Sequence, residues 1–157
     1  MSTVGVAMED GLWAGAAATS FAVLLNVPVR ALLPCTVTGL AGFLVRTILT
    51  TAVAANPVSA SFLAADVVSL LSVAFGRALR APAIVFVIPG VIPLIPGALA
   101  FRTVAGLLDV FDTAGSMQEQ VLTAAGVAGL RTIMVTAALA AGVAVPGMIL
   151  RRRRPML

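Results

Sequence analysis

Apolar residues fill most of the chain in long runs, and short polar or charged stretches separate these runs. The runs predict helices at about 12–27, 32–54, 59–76, 82–108 and 121–149. A helix needs about 20 mostly apolar residues to cross a bilayer, so the runs are of the length that crossing helices require. The pattern therefore predicts an all-α integral membrane protein, with residues 1–157 forming a single transmembrane domain of about five transmembrane helices.

The fourth run cannot be one continuous helix. Within nine residues it holds three prolines and two glycines, namely Pro89, Gly90, Pro93, Pro96 and Gly97. Each proline lacks an N–H and clashes with the carbonyl oxygen one turn earlier, so the helix must break. Lipid cannot pair the freed backbone groups, and such a break is tolerated only where protein buries it or where it lines a polar cavity. We predict that these five residues form part of a substrate site; the alternative is a tightly packed kink without a ligand.

Composition supports the assignment to the membrane. The chain is 61% hydrophobic and only 10% charged, with a mean hydropathy of +1.12. A soluble domain of this size would lack the surface charge that keeps it in solution. The net charge of +4 comes mainly from the run 151–154 beside a hydrophobic helix, which indicates membrane orientation rather than binding to nucleic acid.

The distribution of charge between the runs predicts the orientation of the chain. Arg30, Arg77, Arg80 and the run 151–154 alternate with an acidic N-terminal segment, the turn at Asn56 and an acidic loop. Loop arginines stay cytoplasmic, so the N-terminus is expected outside and the C-terminus in the cytoplasm of a bacterial cell with the chain in its inner membrane. A re-entrant fourth segment would put the four terminal arginines outside, so we expect a broken crossing.

The residue types that are absent restrict the chemistry. The sequence contains no histidine, lysine or tyrosine and a single cysteine, Cys35. A histidine metal site, a lysine Schiff base and a serine–histidine or serine–lysine nucleophile are therefore ruled out. We predict no enzyme activity, no cofactor and no metal, and carboxylates are the side chains able to carry protons.

Four ionisable residues fall inside predicted helices: Arg46, Asp66, Arg102 and Arg131. A charge at the centre of a membrane helix costs roughly 2.5 to 3.5 kcal/mol, so each should face protein or water. At about 1.5 Å of rise per residue, Arg46 and Asp66 come about 10 Å below the outer face and Arg131 about 15 Å below it. We therefore expect these three to lie in one layer. Asn26, near the end of the first helix, either caps that helix or contacts substrate.

These side chains predict a site for a carboxylate. Arg46 and Arg131 could hold it by bidentate hydrogen bonds, with Asp66 as counter-ion or proton carrier. A structural ion pair between Arg46 and Asp66 is an equal alternative, and Arg102 could instead reach the outer interface. The second half-helix, starting at Gly97, would offer free N–H groups that favour an anion.

Two segments carry a family resemblance. The sequence IPGVIPLIPGALAFR at Ile88–Arg102, with NVPVRAL at Asn26–Leu32, resembles the threonine/serine exporter family. The chain is similar to the stand-alone small subunit of that family, equivalent to the C-terminal five-span half of fused exporters and to the small subunit of a bacterial succinate exporter. The resemblance implies a heteromeric exporter of small carboxylate metabolites, such as threonine, serine or dicarboxylates, in which a larger membrane subunit brings the other half.

Two other functions remain open on the sequence alone. The chain could be a structural subunit that stabilises a partner transporter, or it could form a channel as a homo-oligomer. Copies of the chain could also associate within a larger complex. An odd number of crossings cannot be divided into two equal halves, which favours a second membrane unit of opposite topology as the partner.

Overall fold

The computed structural model describes residues 3–112 and 116–151. The chain forms six α-helices in these residues, with a short 3₁₀ turn between the fourth and fifth, and no strand occurs among them. In chain order they are α1 (Thr3–Leu24), α2 (Val29–Thr51), α3 (Pro57–Leu79), α4 (Ile84–Val91), the 3₁₀ turn Ile92–Leu94, α5 (Gly97–Asp112) and α6 (Ser116–Arg151). The prediction of an all-α chain is confirmed.

Three of these helices are long and apolar enough to cross a membrane: Val29–Thr51, Pro57–Leu79 and Met117–Ile149. The interrupted pair Ile84–Leu94 and Gly97–Phe111 adds a fourth if it forms one crossing. The helix α1, which carries the acidic pair Glu9 and Asp10, is not among them. The chain is thus a multi-pass helical membrane protein, while the number of five crossings and the orientation stay predictions.

The contacts divide the chain into two compact units. The first unit contains α1 to α4, the 3₁₀ turn and the part of α6 from Ala138 onward, and the second unit is Ile95–Ala137. In the first unit α2 is central, since it packs against α1, α3 and α4. Its buried residues are mostly small, and small residues allow helix backbones to approach closely in the absence of a hydrophobic driving force between helices. They are Ala31, Pro34, Cys35, Thr38, Gly39 and Gly42.

The helix α4 lies in contact with both α2 and α3. A methyl group on Gly90 would meet Thr38 Oγ1 at 2.9 Å and Val68 Cγ1 at 3.0 Å, so a larger residue would force these side chains to shift. Phe86 is fully buried on the same helix, and its ring centroid lies 6.3 Å from that of Phe75 on α3. The first half of the broken helix is therefore held by packing from two neighbours.

The second unit is a helical hairpin made of α5 and the first part of α6. A methyl group on Gly106 would meet Ala125 Cβ at 2.9 Å, and one on Gly129 would meet Thr103 Cγ2 at 3.0 Å. Gly106 thus lies opposite Ala125, and the earlier residue Thr103 lies opposite the later residue Gly129. The two helices are therefore antiparallel. At the end where the chain turns, the Gln118 side chain donates a hydrogen bond to the carbonyl oxygen of Val110 at 3.2 Å.

Candidate functional site

The predicted break in the fourth helix is present. The helix α4 contains Pro89 and ends at Val91, the 3₁₀ turn follows, and α5 begins at Gly97. Because Pro89 has no N–H, the carbonyl oxygen of Val85 loses its usual donor in the helix. The thiol of Cys35 on α2 supplies a replacement, with Sγ 3.7 Å from the Val85 oxygen. Cys35, the single cysteine of the sequence, thus pairs a freed backbone group.

Arg46 pairs a second carbonyl at the break. Its Nη1 donates a hydrogen bond to the carbonyl oxygen of Leu94 at 2.8 Å, at the end of the 3₁₀ turn. A guanidinium has five N–H donors in a planar fork. The other donors of Arg46 make no hydrogen bond to the part of the chain that the structure describes. Arg46 therefore stabilises the break and keeps donors that could bind a carboxylate.

The Pro and Gly residues of the break differ in their surroundings. Pro89 and Gly90 are buried within the first unit, Pro93 is half-buried and Pro96 is buried. Gly97 is exposed, and a methyl group placed on it would meet no neighbouring atom within 4 Å. Of these five predicted site residues, Gly97 thus borders open space, whereas Pro89 and Gly90 are covered by packing.

The first turn of α5 offers fewer free N–H groups than the sequence suggests. The Gly97 N–H donates to the Ile95 carbonyl oxygen at 2.8 Å, and those of Leu99 and Ala100 both donate to Pro96 at 3.1 Å. Among the described residues, the N–H of Ala98 alone in this turn has no backbone acceptor. Anion attraction at this helix end therefore rests on one donor and the helix dipole.

Asp66 does not pair with Arg46. Its Oδ1 atom is buried and has no hydrogen-bond partner, and no ion pair between the two side chains occurs in the described residues. The structural ion pair that the sequence left open is thus not formed. The Asp66 side chain as a whole is half-buried, and one of its two carboxylate oxygens lacks a partner among the described residues. No group of three or more histidine, cysteine, aspartate or glutamate side chains in the described parts of the chain could hold a metal ion.

The second unit carries a cleft along the side of its hairpin. The cleft has a volume of about 980 Å³ and includes Arg102 from α5 and Arg131 from α6 among its lining residues. Asp109 and Glu119 line the same cleft nearer the turn of the hairpin. At about 1.5 Å per residue, Asp109 lies about 10 Å along α5 from Arg102, and Glu119 about 18 Å along α6 from Arg131. The two cations therefore share one region of the cleft, and the acids lie toward its other end.

The sequence did not predict that Arg102 and Arg131 line the same cleft. It placed Arg131 in a layer with Arg46 and Asp66, but those two belong to the first unit and Arg131 to the second, so that layer stays a prediction. The acids of the cleft were assigned only to an outer loop. The pairing of α5 with α6 could have been expected from the short connection between them, since such connections make neighbouring helices antiparallel.

Asn26 has a structural role at the end of α1. Its φ of 57° is in the left-handed region, which asparagine adopts more readily than most residues. The Asn26 N–H donates to the Val23 carbonyl at 2.9 Å, and that of Val27 donates to Ala22 at 2.9 Å. These two bonds form the Schellman arrangement that closes a helix. The backbone of Asn26 thus caps the helix, and a contact between its side chain and substrate stays a prediction.

Substitutions at Asn26 distinguish capping from substrate contact. We expect Asn26→Val to lower the free energy of unfolding by about 1–2 kcal/mol, since a branched residue is strained at this backbone angle. Asn26→Gly, which relieves that strain, should unfold at nearly the same temperature as the unchanged protein and should retain transport. Thermal unfolding of the purified membrane protein and an efflux assay measure both effects. A loss of efflux in Asn26→Gly at normal stability would show instead that the side chain contacts substrate.

These features define the class of protein. The chain is a multi-pass α-helical protein of the bacterial inner membrane, with a broken helix and arginines within its apolar helices. A family model described as "Threonine/Serine exporter, ThrE" matches residues 10–149. The chain belongs to the threonine/serine exporter family, and the resemblance seen in the sequence is confirmed.

One relative shows how much of a longer protein this chain matches. A protein of Haemophilus influenzae, described as "Uncharacterized protein", is 28% identical over 152 residues, which cover 96% of this chain and 50% of that protein. The chain thus spans about half the length of this curated relative. No solved structure matches the chain.

Proposed function

We propose that the chain is the membrane subunit of a secondary transporter that exports small carboxylate metabolites and acts with a larger partner subunit. Threonine, serine and dicarboxylates such as succinate are the candidate substrates. The observation that carries this proposal is the cleft lined by both Arg102 and Arg131. Placing two guanidinium groups within apolar membrane helices costs free energy unless they face protein or water. Each guanidinium can bind a carboxylate with two hydrogen bonds.

Two further features support the same proposal. The family is one of exporters, so a transport role for this chain follows its relatives. Arg46 lies at the broken helix, and only one of its N–H groups makes a hydrogen bond to the described residues. Broken helices of transporters commonly form substrate sites. We propose Arg46 as a second carboxylate-binding group and Asp66 as a counter-ion or proton carrier.

The proposal includes the predicted topology. Five crossings with the N-terminus outside would include α1 as the first and the interrupted pair as the fourth. In that orientation the turn of the α5–α6 hairpin, with its acids, lies toward the outer face, and Arg102 and Arg131 lie deeper. Cysteine labelling at the positions of Arg30, Asn56 and Arg80 from either side of the membrane would test the alternation of sides.

Efflux from cells tests the function. Cells lacking this chain and its partner would be loaded with labelled succinate, threonine or serine, and each subunit would be restored alone and together. Export that requires both subunits supports a two-part transporter, and the exported compound identifies the substrate. Full export by the partner alone would contradict the proposal and leave this chain a structural role. Conduction by this chain alone would indicate a channel.

The cleft arginines separate the transporting role from the structural one. We expect Arg131→Ala and Arg102→Ala each to lower efflux by about tenfold to a hundredfold, since a hydrogen bond to a charged group contributes about 1.5–3 kcal/mol. Co-purification with the partner should be unchanged. Arg77→Ala, in the exposed last turn of α3, is the matched control and should export normally. Normal efflux in all three variants would favour the structural role.

A further inference from the structure

The cleft of the second unit is larger than a small metabolite needs. Its volume of about 980 Å³ is at the upper end of the range for pockets that enclose a drug-sized ligand, which is roughly 300–1,000 Å³. Threonine, serine and succinate are much smaller than such a ligand. Both arginines that line the cleft, Arg102 and Arg131, are also exposed. The cleft as this chain forms it is therefore an incomplete site for a small carboxylate.

Small residues lie between the charged ends of the cleft. They are Ala105 and Gly106 on α5, and Ala124 and Ala128 on α6. The two helices approach closely here, since a methyl group on Gly106 would meet Ala125 Cβ at 2.9 Å. Small side chains in a groove between two helices allow the backbone of a third helix to come close. The shape of the cleft thus suits a helix.

The two ends of the cleft carry opposite charges. Arg102 and Arg131 lie at one end, and the exposed Glu119 lies toward the other. Within the described residues, the Glu119 carboxylate makes no hydrogen bond and no ion pair. Complementary charges fix the register of two surfaces that bind each other. A helix that fits the cleft therefore brings a cation to Glu119 and leaves the arginines to a carboxylate.

A second copy of this chain does not meet that requirement. The helix α6 is long and apolar enough to cross the membrane, so copies inserted in the same orientation hold equivalent residues at the same depth. Cleft against cleft, Glu119 would face the same residue of the copy, and arginines would face arginines. Like charges opposed across an interface destabilise it. The chain has no lysine, and its loop arginines Arg30, Arg77 and Arg80 are predicted on the other side of the membrane from Glu119.

We propose that the cleft binds a membrane helix of the larger partner subunit, and that this helix closes the arginine end into a substrate site. The helix is apolar, places small side chains against the small residues of the cleft, and carries a lysine or arginine at the level of Glu119. The identity of the partner rests on the proposed transport function, whereas binding of the helix can be measured without transport.

Photo-crosslinking in intact cells identifies the occupant of the cleft. A benzophenone amino acid replaces either Gln120, which lines the cleft next to Glu119, or Leu122, which is exposed on the same helix and does not line the cleft. We expect position 120 to label an apolar helix of a larger membrane protein, with a lysine or arginine within one helical turn of the labelled residue. Position 122 should not label that helix.

Three results of this experiment would overturn the proposal. The first is labelling only of a second copy of the chain or only of lipid from position 120. The second is labelling of a helix that carries no basic residue near the labelled position. The third is equal labelling of one helix from positions 120 and 122, since that result would place the helix outside the cleft.

Glu119→Lys tests the charge pair. The new cation opposes the cation of the partner helix, so the yield of the cross-link from position 120 should fall about tenfold or more. Exchange of the partner's basic residue for glutamate should then restore the yield. Asp10→Lys, at an exposed acid on α1, makes the same change of charge and should leave the yield unchanged. An unchanged yield in Glu119→Lys, or no recovery after the exchange, would overturn the predicted charge pair.

Filling the cleft tests its shape. Ala124→Trp adds a large ring at a residue that lines the cleft, whereas Gly126 does not line it and a methyl group there meets no atom within 4 Å. Both residues are exposed, and thermal unfolding checks that both variants fold. We expect Ala124→Trp to lower co-purification with the partner at least tenfold and Gly126→Trp to leave it unchanged. Equal co-purification of the two variants would overturn the docking of a helix in this cleft.

Failure of the transport function and failure of the helix site give different results. If position 120 labels the expected helix but the complex exports none of the three metabolites, the transport function fails while the helix site stands. If export requires the partner but position 120 labels none of its helices, the helix site is overturned while the transport function stands.

Discussion

Arg46→Ala should abolish export and also destabilise the broken helix. The substitution removes a proposed carboxylate-binding group and leaves the buried Leu94 carbonyl without its 2.8 Å partner. An unpaired buried backbone group costs about 1–3 kcal/mol, so the temperature of unfolding should fall measurably. Efflux and thermal unfolding of the purified complex check the two effects separately.

Arg46→Lys separates the two roles of this side chain. Lysine can donate one hydrogen bond to Leu94 but cannot bind a carboxylate with a planar fork. We expect it to recover most of the stability and little of the export. Arg30→Ala, an exposed position in the first turn of α2, serves as the control and should change neither. Normal export in Arg46→Ala would show that Arg46 has only a structural role.

Gly142→Ala should disrupt the contact between α3 and α6. The new methyl group would overlap the Phe62 carbonyl oxygen and meet Ala65 Cβ at 2.8 Å. A backbone oxygen cannot rotate away as a side chain can, so the helices must separate. Overpacking of this kind costs about 1–3 kcal/mol, and we expect the upper end of that range. The change should appear as a lower unfolding temperature and as loss of export.

Gly147→Ala gives a control on the same helix. A methyl group there meets no neighbouring atom within 4 Å, and alanine favours a helix over glycine by roughly 0.5–1 kcal/mol. The two substitutions should therefore change stability in opposite directions. Equal unfolding temperatures for the two variants would mean that α6 does not contact α3 in the membrane as it does in the structure.

The sequence by itself determined the fold class and the position of the break. Runs of apolar residues are a local property, and most of them are long enough to cross a bilayer whatever their neighbours are. The restriction imposed by Pro89, Pro93 and Pro96 is also local, because each removes a donor from its own helix. The IPGVIPLIPGALAFR segment was specific enough to indicate the family that the comparison then established.

Only the tertiary structure decided which groups the ionisable side chains meet. Arg46 and Leu94 are 48 residues apart in the chain, and Cys35 and Val85 are 50 apart. Hydropathy and helical rise predicted Arg46 at the same depth as Asp66, but depth does not fix the direction in which a side chain points around its helix. That direction follows from helix packing, which turned Arg46 toward the break and left Asp66 Oδ1 buried without a partner.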